Sequence, residues 1–386
     1  MGNLRIFTSE SVSEGHPDKV ADQISDALLD GFLAEDDRLS VTAERRCRVA
    51  IETMLAHGVA IVSGEVTSEG YVSVQNVVRE TIKSIGYTDT RIGFDGENCG
   101  VLVAIQPQSP DIAMGVATGG AGDQGMMFGM ATRETPELMP LPISVAHALM
   151  RQSACVRWQD PNIGFRPDAK SQVSIVYEGD VPKRIDTIVV SQQHEERIEN
   201  EVRDLIRAHI VDPVLADYSE FLDGEVTFHF NPTGRFVKGG PAGDTGLTGR
   251  KIIVDTYGGM CSHGGGAFSG KDPTKVDRSA AYMARHVAKN VVHAGLADRC
   301  QLAVAYAIGV EQPVSVQVET FGTEQADPDK IASRIREVFD LSPRGIIRHL
   351  GLLDFRYRQT AKNGHFGNPA FPWERTAEAD SLKDLA

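Results

Sequence analysis

The sequence predicts an α+β fold organised in three parts. Two observations point there. Short runs rich in β-branched residues come in neighbouring pairs, with amphipathic helical segments between them and no strict strand–helix rhythm, which suits antiparallel sheets with helices on one face. Glycine-rich tracts at 115–129 and 232–249 then divide the chain into three lengths of similar size. The 386 residues correspond to two to four domains at ~100–200 residues each. No sequence-level repeat relates the parts, and there is no low-complexity tail.

Taken in order, Pro17 is suited to a first helical position, and Val20, Ile24, Ala27, Leu28 and Phe32 then form one apolar face. Runs 49–52 and 59–66 read as strands separated at Gly58. Val74, Val77, Val78 and Ile82 have helical spacing within 71–85, and 101–106 is a further strand. Runs 173–177 and 187–191 pair through Gly179-Asp180, and 195–209 is a charged helix burying Ile198, Val202, Leu205 and Ile206. In the last third, 252–255 reads as a short strand and 277–292 as a helix. Strands at 303–310 and 314–318 and a helix at 331–339 follow.

Composition limits the function. Lys plus Arg number 39 and Asp plus Glu 53, so the net charge is 39 − 53 = −14. That acidity argues against a general nucleic-acid or anionic-membrane binder, and a polyanionic ligand would need a local cluster of cations. The five cysteines are scattered and form no C-x-x-C pair, so a disulfide framework or zinc site is not expected and a reducing, cytoplasmic setting is. The first residues lack an apolar signal region, Ile6 breaks the myristoylation pattern, and no apolar run approaches the ~18 residues that span a bilayer.

Chemistry-bearing residues fall in a few tracts. In Gly15-His16-Pro17-Asp18-Lys19, His16 and Asp18 sit at the positive end of a helix, where anions are attracted. Asp18 can hold a metal ion and His16 can donate to a phosphate or leaving oxygen; alternatively Asp18 is only a favourable first-turn charge. The tract 264–272 matches the G-x-x-x-x-G-K part of a P-loop from Gly265, but Asp272 stands where Ser or Thr should bind Mg²⁺. Its glycines free backbone N–H groups for phosphate oxygens, and Lys271, Lys275 and Asp277 follow closely. In 243–251, Arg250 and Lys251 lead out of a flexible loop, with Asp244 before them and Arg235-Phe236 offering an aromatic face; the alternative is a surface hairpin with solvated charges. Gly120–Gly125 spells G-x-G-x-x-G without a preceding strand, so a dinucleotide site is not expected there, although Asp123 can accept from ligand hydroxyls. Asp168 and Lys170 alternate onto one side of an extended stretch.

Together His16, Lys170, Arg250, Lys251, Lys271 and Lys275, with Asp18 and Asp277, suit a triphosphate of ~4 negative charges with Mg²⁺. A kinase or ATPase using 264–272 as a variant P-loop, and a non-catalytic nucleotide sensor, are the competing readings.

The tracts 15–19, 120–125 with Met127-Phe128-Gly129, 231–236, 244–251 and 264–272 resemble the bacterial S-adenosylmethionine synthetases (methionine adenosyltransferases), from about Phe7 to Pro372. The resemblance implies three similar α+β subdomains about a pseudo-threefold axis, here 4–106, 120–241 and 243–381. It implies a dimer of dimers with active sites at the subunit interface, two Mg²⁺ per site, and K⁺. The implied reaction is attack of the L-methionine sulfur on C5′ of ATP, followed by hydrolysis of the displaced triphosphate to phosphate and diphosphate. By resemblance the catalytic set is His16, Lys170, Arg250 and Lys271. The ATP contacts are His16, Asp123, Asp168, Lys170, Arg235, Phe236, Asp244, Arg250, Lys251, Ala267 and Lys271. Glu65, Gln108, Asp244 and Lys275 match methionine contacts, Asp18 and Asp277 Mg²⁺ ligands, and Glu52 the K⁺ site. The stretch 109–119 is shorter than the family's mobile loop and lacks charge in its latter half; a lid that orders on substrate binding is still expected there.

Overall fold

The computed structural model describes residues 4–108 and 119–383, so the lid expected at 109–119 lies, but for Gly119, outside the described residues. Three sheets carry the architecture. In the first, β1 (Leu4–Val12), β6 (Phe165–Glu178), β7 (Val181–His194) and β8 (Thr227–Phe230) lie in the order β1-β6-β7-β8. The second places β4 (Gly100–Gln106), β3 (Val59–Thr67), β2 (Arg48–Ala56) and β9 (Gly246–Leu247) in that order. The third is β11 (Ser315–Glu319), β10 (Arg299–Tyr306) and β5 (Gly125–Thr132).

One plan recurs in all three. A strand from another third of the chain pairs antiparallel with the first strand of a hairpin: β1 on β6, β5 on β10 and β9 on β2. The first third thus donates to the sheet of the second, the second to that of the third, and the third to that of the first. A long helix packs on each sheet: α1 (Pro17–Arg38) on β2 and β9, α3 (Leu141–Gln159) on β1 and β6, and α7 (Val276–His293) on β5 and β10. The fold is α+β with three similar units about a pseudo-threefold axis, a repeat the sequence does not display.

Several expectations need correction. Two of the sheets are mixed, because β4 runs parallel to β3 and β8 parallel to β7, while the third is antiparallel as expected. The segment Ile252–Asp255 is one helical turn (α6) and not a strand, although Ile-Ile-Val favours a strand. Tertiary contacts override that propensity: Val254 and Asp255 are buried, and Asp255 binds the buried Lys19 ammonium. The charged helix at 195–209 is broken into a 3₁₀ turn, α4 (Val202–Ile206), a π turn at Arg207–Val211 and α5 (Asp212–Ala216). Pro213 has no N–H to donate to the carbonyl of His209, which instead accepts from Gln152 Nε2 at 2.9 Å. The remaining predicted elements form, with α2 at Val74–Ile85 and α8 at Pro328–Val338, whereas β1, β5, β8, β9, α3, α9 (Pro343–Leu350) and α10 (Ala379–Lys383) are unforeseen.

Helix α1 is more enclosed than a single apolar face implies. Lys19, Asp22, Gln23, Ser25 and Asp26 are buried as well. Its polar side is held by ion pairs: Lys19 with Asp22 (2.9 Å) and Asp255, and Asp26 with the Arg278 guanidinium through two bonds of 2.7 and 2.8 Å. Such pairs contribute little net stability over apolar packing, but losing one partner strands a buried charge. The Asp26–Arg278 pair fixes the register of α1 against α7. On its other side α7 is clasped by the C-terminal segment, where Arg285 pairs with Glu374 (3.0 and 2.8 Å) and Tyr282 stacks on Trp373 at 3.8 Å.

Sheet and helix approach most closely at Gly129 on β5, where a Cβ would lie 2.0 Å from the Ala284 carbonyl carbon and 2.1 Å from Arg285 N of α7. Neither atom belongs to a movable side chain. Gly129→Ala is expected to destabilise the protein by about 3 kcal/mol, read as a lowered urea midpoint; an unchanged midpoint would show that α7 can step back.

Candidate active site

The start of α1 is built as an anion-facing helix end. His16 is its N-cap, and its Nδ1 accepts from Asp18 N at 3.2 Å. Nδ1 is therefore the lone-pair nitrogen, and in the neutral ring the hydrogen sits on Nε2. Burial, reinforced by the Lys251 and Lys170 ammoniums, lowers the His16 pKa to about 3 despite the nearby Asp18 carboxylate. His16 is thus a neutral donor at physiological pH. Asp18 Oδ1 accepts from Leu247 N at 2.9 Å, and Oδ2 takes the Lys251 Nζ at 2.5 Å. Burial pushes the Asp18 carboxyl upward, but these two partners outweigh it and hold it below the usual range.

Asp168 and Lys170 sit near the start of β6, with Lys170 opposite Val12 of β1. Both charges reach the His16 neighbourhood, since Lys170 acts on His16 and Asp18 acts on Asp168. Asp168 is 4% exposed, and its Oδ2 accepts from Gly240 N at 2.8 Å while Oδ1 has no partner. Burial, with the negative charges of Asp244 and Asp18, raises its pKa to about 6 against the lowering by Gly240 N–H and Lys170. A buried carboxylate oxygen without a donor is a ready acceptor for a ligand N–H or O–H. His16, Asp18, Asp168, Lys170, Asp244 and Lys251 make one group.

The second group belongs to the loop Gly264–Asp272 and the start of α7. Here Lys271 Nζ binds Asp277 Oδ2 at 2.5 Å. The glycines are required by space: a Cβ on Gly264 would lie 1.7 Å from Met126 O, and one on Gly266 2.3 Å from Asp277 Oδ1. No strand precedes the loop, which is the context a P-loop needs, and Asp272 is consumed structurally. It is buried, accepts from Val49 N (2.8 Å) and Thr274 N (2.9 Å), and holds Lys275 at 2.7 Å.

One strand edge sets the two groups beside each other. On β2, Met54 and Leu55 pair with Leu247 and Gly246, and Thr53 O accepts from Thr248 N at 3.0 Å. Further along, Ile51 N donates to Gly270 O at 2.9 Å, Ala50 bridges Lys271, and Val49 O accepts from Asp272 N at 3.0 Å. Four residues of strand separate the Leu247 and Lys271 positions, about 13 Å. The loops also touch, because Gly249 (φ +78°) leaves room for only 2.5 Å between its missing Cβ and that of Ala267.

Register assigns other predicted residues to the second group. Across the second sheet Gln106, Glu65 and Ala50 form one row, continued by Lys271, so Glu65 shares the exposed face with Lys271. Glu52 lies on the same face one row on, opposite Ser63. Gln108 just follows β4, its N–H donating to Thr67 Oγ1 at 3.3 Å. Asp123 is exposed in the turn before Gly125, which lies beside Asp277, and accepts from the N–H of Gln124. Arg250 is exposed next to Lys251, preceding a helical turn and not the expected strand. Arg235 stands apart from both groups on Glu196 (2.8 Å) and Glu199 (2.9 Å), whereas Phe236 packs toward Gly239 and Gln193 near Asp168.

Sequence reasoning missed the residues behind the site. Asp22 accepts from Gly249 N at 2.8 Å, Asp26 from Gly270 N at 2.8 Å, and Thr248 Oγ1 from Thr53 N at 3.0 Å. Acidic residues spaced along the buried side of α1 were the available signal.

Family models described as S-adenosylmethionine synthetase, N-terminal, central and C-terminal domain match residues 4–110, 118–236 and 238–375. An S-adenosylmethionine synthase of Desulfosudis oleivorans is 54% identical over 399 residues, covering 100% of both chains. That of Myxococcus xanthus (strain DK1622) is 56% identical over 388 residues, 99% of this chain and 95% of the relative. That of Corynebacterium urealyticum is 54% identical over 400 residues, 98% of each.

The His16 environment has a measurable consequence. Unfolded histidine binds a proton near 6.5 and the folded ring only near 3, so its contribution to stability is complete above pH 6.5 and is lost as pH falls toward 3. In Lys251→Met a nearby positive charge disappears and Asp18 loses its counter-ion, so the His16 pKa is expected to rise toward its ordinary value. Imidazole NMR titration checks this; an unmoved midpoint would place Lys251 away from His16.

Proposed function

Because the chain belongs to the S-adenosylmethionine synthetase family, we propose that the two touching charge groups line the site in which it makes S-adenosylmethionine from ATP and L-methionine. The observation that carries this reading is the pairing of Asp18 with Lys251 and of Asp277 with Lys271 on loops held side by side by β2.

The thioether sulfur is nucleophilic without losing a proton, so no general base is needed. Its lone pair attacks C5′, the C5′–O bond breaks, and the bonding electrons leave with the triphosphate, giving a sulfonium. The chain's work is to align these atoms and to stabilise the departing charge. Lys170, Arg250, Lys251 and Lys271 supply cations for the phosphates, and neutral His16 offers its Nε2–H to the leaving oxygen. Asp168, through its unpartnered oxygen, accepts from the nucleoside, with Phe236 as an apolar face and Arg235, Asp123, Asp244 and Ala267 as further ATP contacts. Glu65, Gln108, Lys275 and Asp244 take the methionine. Water then hydrolyses the held triphosphate to phosphate and diphosphate.

Asp18 and Asp277 would hold Mg²⁺, two ions per site, which screens phosphate charge when bound; one or two carboxylates plus phosphate oxygens is the set such an ion prefers. Each carboxylate holds a lysine ammonium, which fits a role facing cations. Glu52 is assigned to K⁺. Two copies would share each site across the exposed face of the second sheet, where Met54 (38% exposed) and Leu102 (57%) flank Ile61, and two such dimers would form the tetramer. No helix among the described residues is long and apolar enough to cross a membrane. Together with five free cysteines this supports a cytoplasmic setting.

Incubation with ATP, Mg²⁺, K⁺ and methionine is expected to give a sulfonium product and methionine-dependent phosphate. ADP as main product would indicate a phosphotransferase, and no turnover a nucleotide sensor. Lys271→Ala is expected to lower kcat by ~10²–10³ with unchanged thermal unfolding; near-normal turnover would remove it from the site. Asp277→Asn is expected to raise the Mg²⁺ concentration for half-maximal rate at least about tenfold, and an unchanged titration would leave it a first-turn charge only.

A further inference from the structure

Behind the third sheet, on the side of α7 occupied by the C-terminal segment, two histidines and a glutamate converge. His286 Nε2 lies 3.2 Å from His349 Nε2 and 3.0 Å from Glu378 Oε2, and His349 Nε2 lies 3.3 Å from Glu378 Oε1. His286 is on α7, His349 in the last turn of α9, and Glu378 just before α10.

The geometry points to a site for a zinc-class divalent cation held by His286, His349 and Glu378. Ligands bound at ~2.0–2.1 Å in a tetrahedron are about 3.3 Å apart, close to all three separations. The hydrogen-bond inventory agrees. His286 Nδ1 faces the Trp373 carbonyl at 3.2 Å, which can only accept, so Nδ1 carries hydrogen and Nε2 of the neutral ring presents a lone pair. That lone pair confronts a carboxylate oxygen at 3.0 Å, so a cation or an added proton must lie between the two. An Nδ1–H held by a backbone carbonyl is also how ligating histidines are oriented.

The frame around the cluster is rigid. Glu378 N donates to Asn290 Oδ1 at 3.2 Å, Asn290 Nδ2 donates to the Arg375 carbonyl at 3.1 Å, and Phe339 sets its ring edge-on to both imidazoles at 5.8 and 5.9 Å. His286 is buried, but the His349 and Glu378 side chains are 26% and 25% exposed, leaving an approach from solvent and room for water as a fourth ligand. Two imidazoles favour zinc and its neighbours over Mg²⁺, so the site differs in kind from the carboxylates assigned to the phosphates. A bound ion would tie the chain's last turn to α7 and α9.

The test uses tag-free, chelator-treated whole protein in excess Mg²⁺, titrated with Zn²⁺ against a chromophoric competitor. Wild type is expected to take up one tight equivalent per chain that His349→Ala and Glu378→Gln bind at least about tenfold more weakly. Its thermal unfolding should rise with Zn²⁺ while that of the variants does not. Equal uptake by wild type and variants would overturn the assignment, as would an added proton bridging the cluster with no zinc bound. Co²⁺ added to wild type alone gives a readout independent of variant folding, and absence of tetrahedral visible bands would equally overturn it.

Discussion

An edge strand presents backbone N–H and C=O groups that must find partners, and β2 satisfies its open edge with the two loops that bear the site's charges. Residues 246–248 take the end near Thr53–Leu55, and 270–272 the end near Val49–Ile51. The spacing of the lysines on those loops is therefore set by strand geometry, which is far stiffer than loop backbone. Behind them, buried carboxylates on α1 hold the loop N–H groups of Gly249 and Gly270. Those carboxylates are themselves held by Lys19 and Arg278. The glycines are needed because this layer leaves no room for side chains.

On the proposed reading, the same arrangement would let an acidic protein accommodate a triphosphate. Lys251 and Lys271 are each neutralised by a carboxylate. Opposed pairs avoid the repulsion that a bare cluster of cations would suffer. A ligand bringing phosphate and divalent cation together satisfies both halves of each pair at once, so the exchange keeps charge locally balanced.

Much of this was legible in the sequence, for physical reasons that differ by element. Hairpin strands and the long helices α1 and α7 announce themselves by apolar periodicity, and the Gly264 loop by a glycine spacing that only close backbone approach demands. The turn at Ile252–Asp255 was misread because its β-branched residues favour strand, whereas a buried contact to Lys19 decides the matter. The breaks at 195–216 were hidden by an apolar pattern that continues across them. Strand exchange between thirds was invisible because a strand's periodicity does not name its neighbour. Asp18 and Asp277 were readable as helix-start acids next to lysines, but that each lysine pairs with its carboxylate required coordinates. Arg235 was readable only as the neighbour of an aromatic face, and its pairing with Glu196 and Glu199 likewise required coordinates.

The donated strands also govern the order in which the chain can mature. Leu4–Val12 leaves the ribosome first, yet its partner in the first sheet begins only at Phe165, and the short strand that closes the edge of β2 comes later still. Until those partners emerge, that first strand carries an unsatisfied backbone. Stable structure thus waits for long-range closure, which is slow. A polypeptide terminated after either of the first two thirds would lack β9, which closes the sheet of the first third, so that sheet is completed only when the last third has emerged.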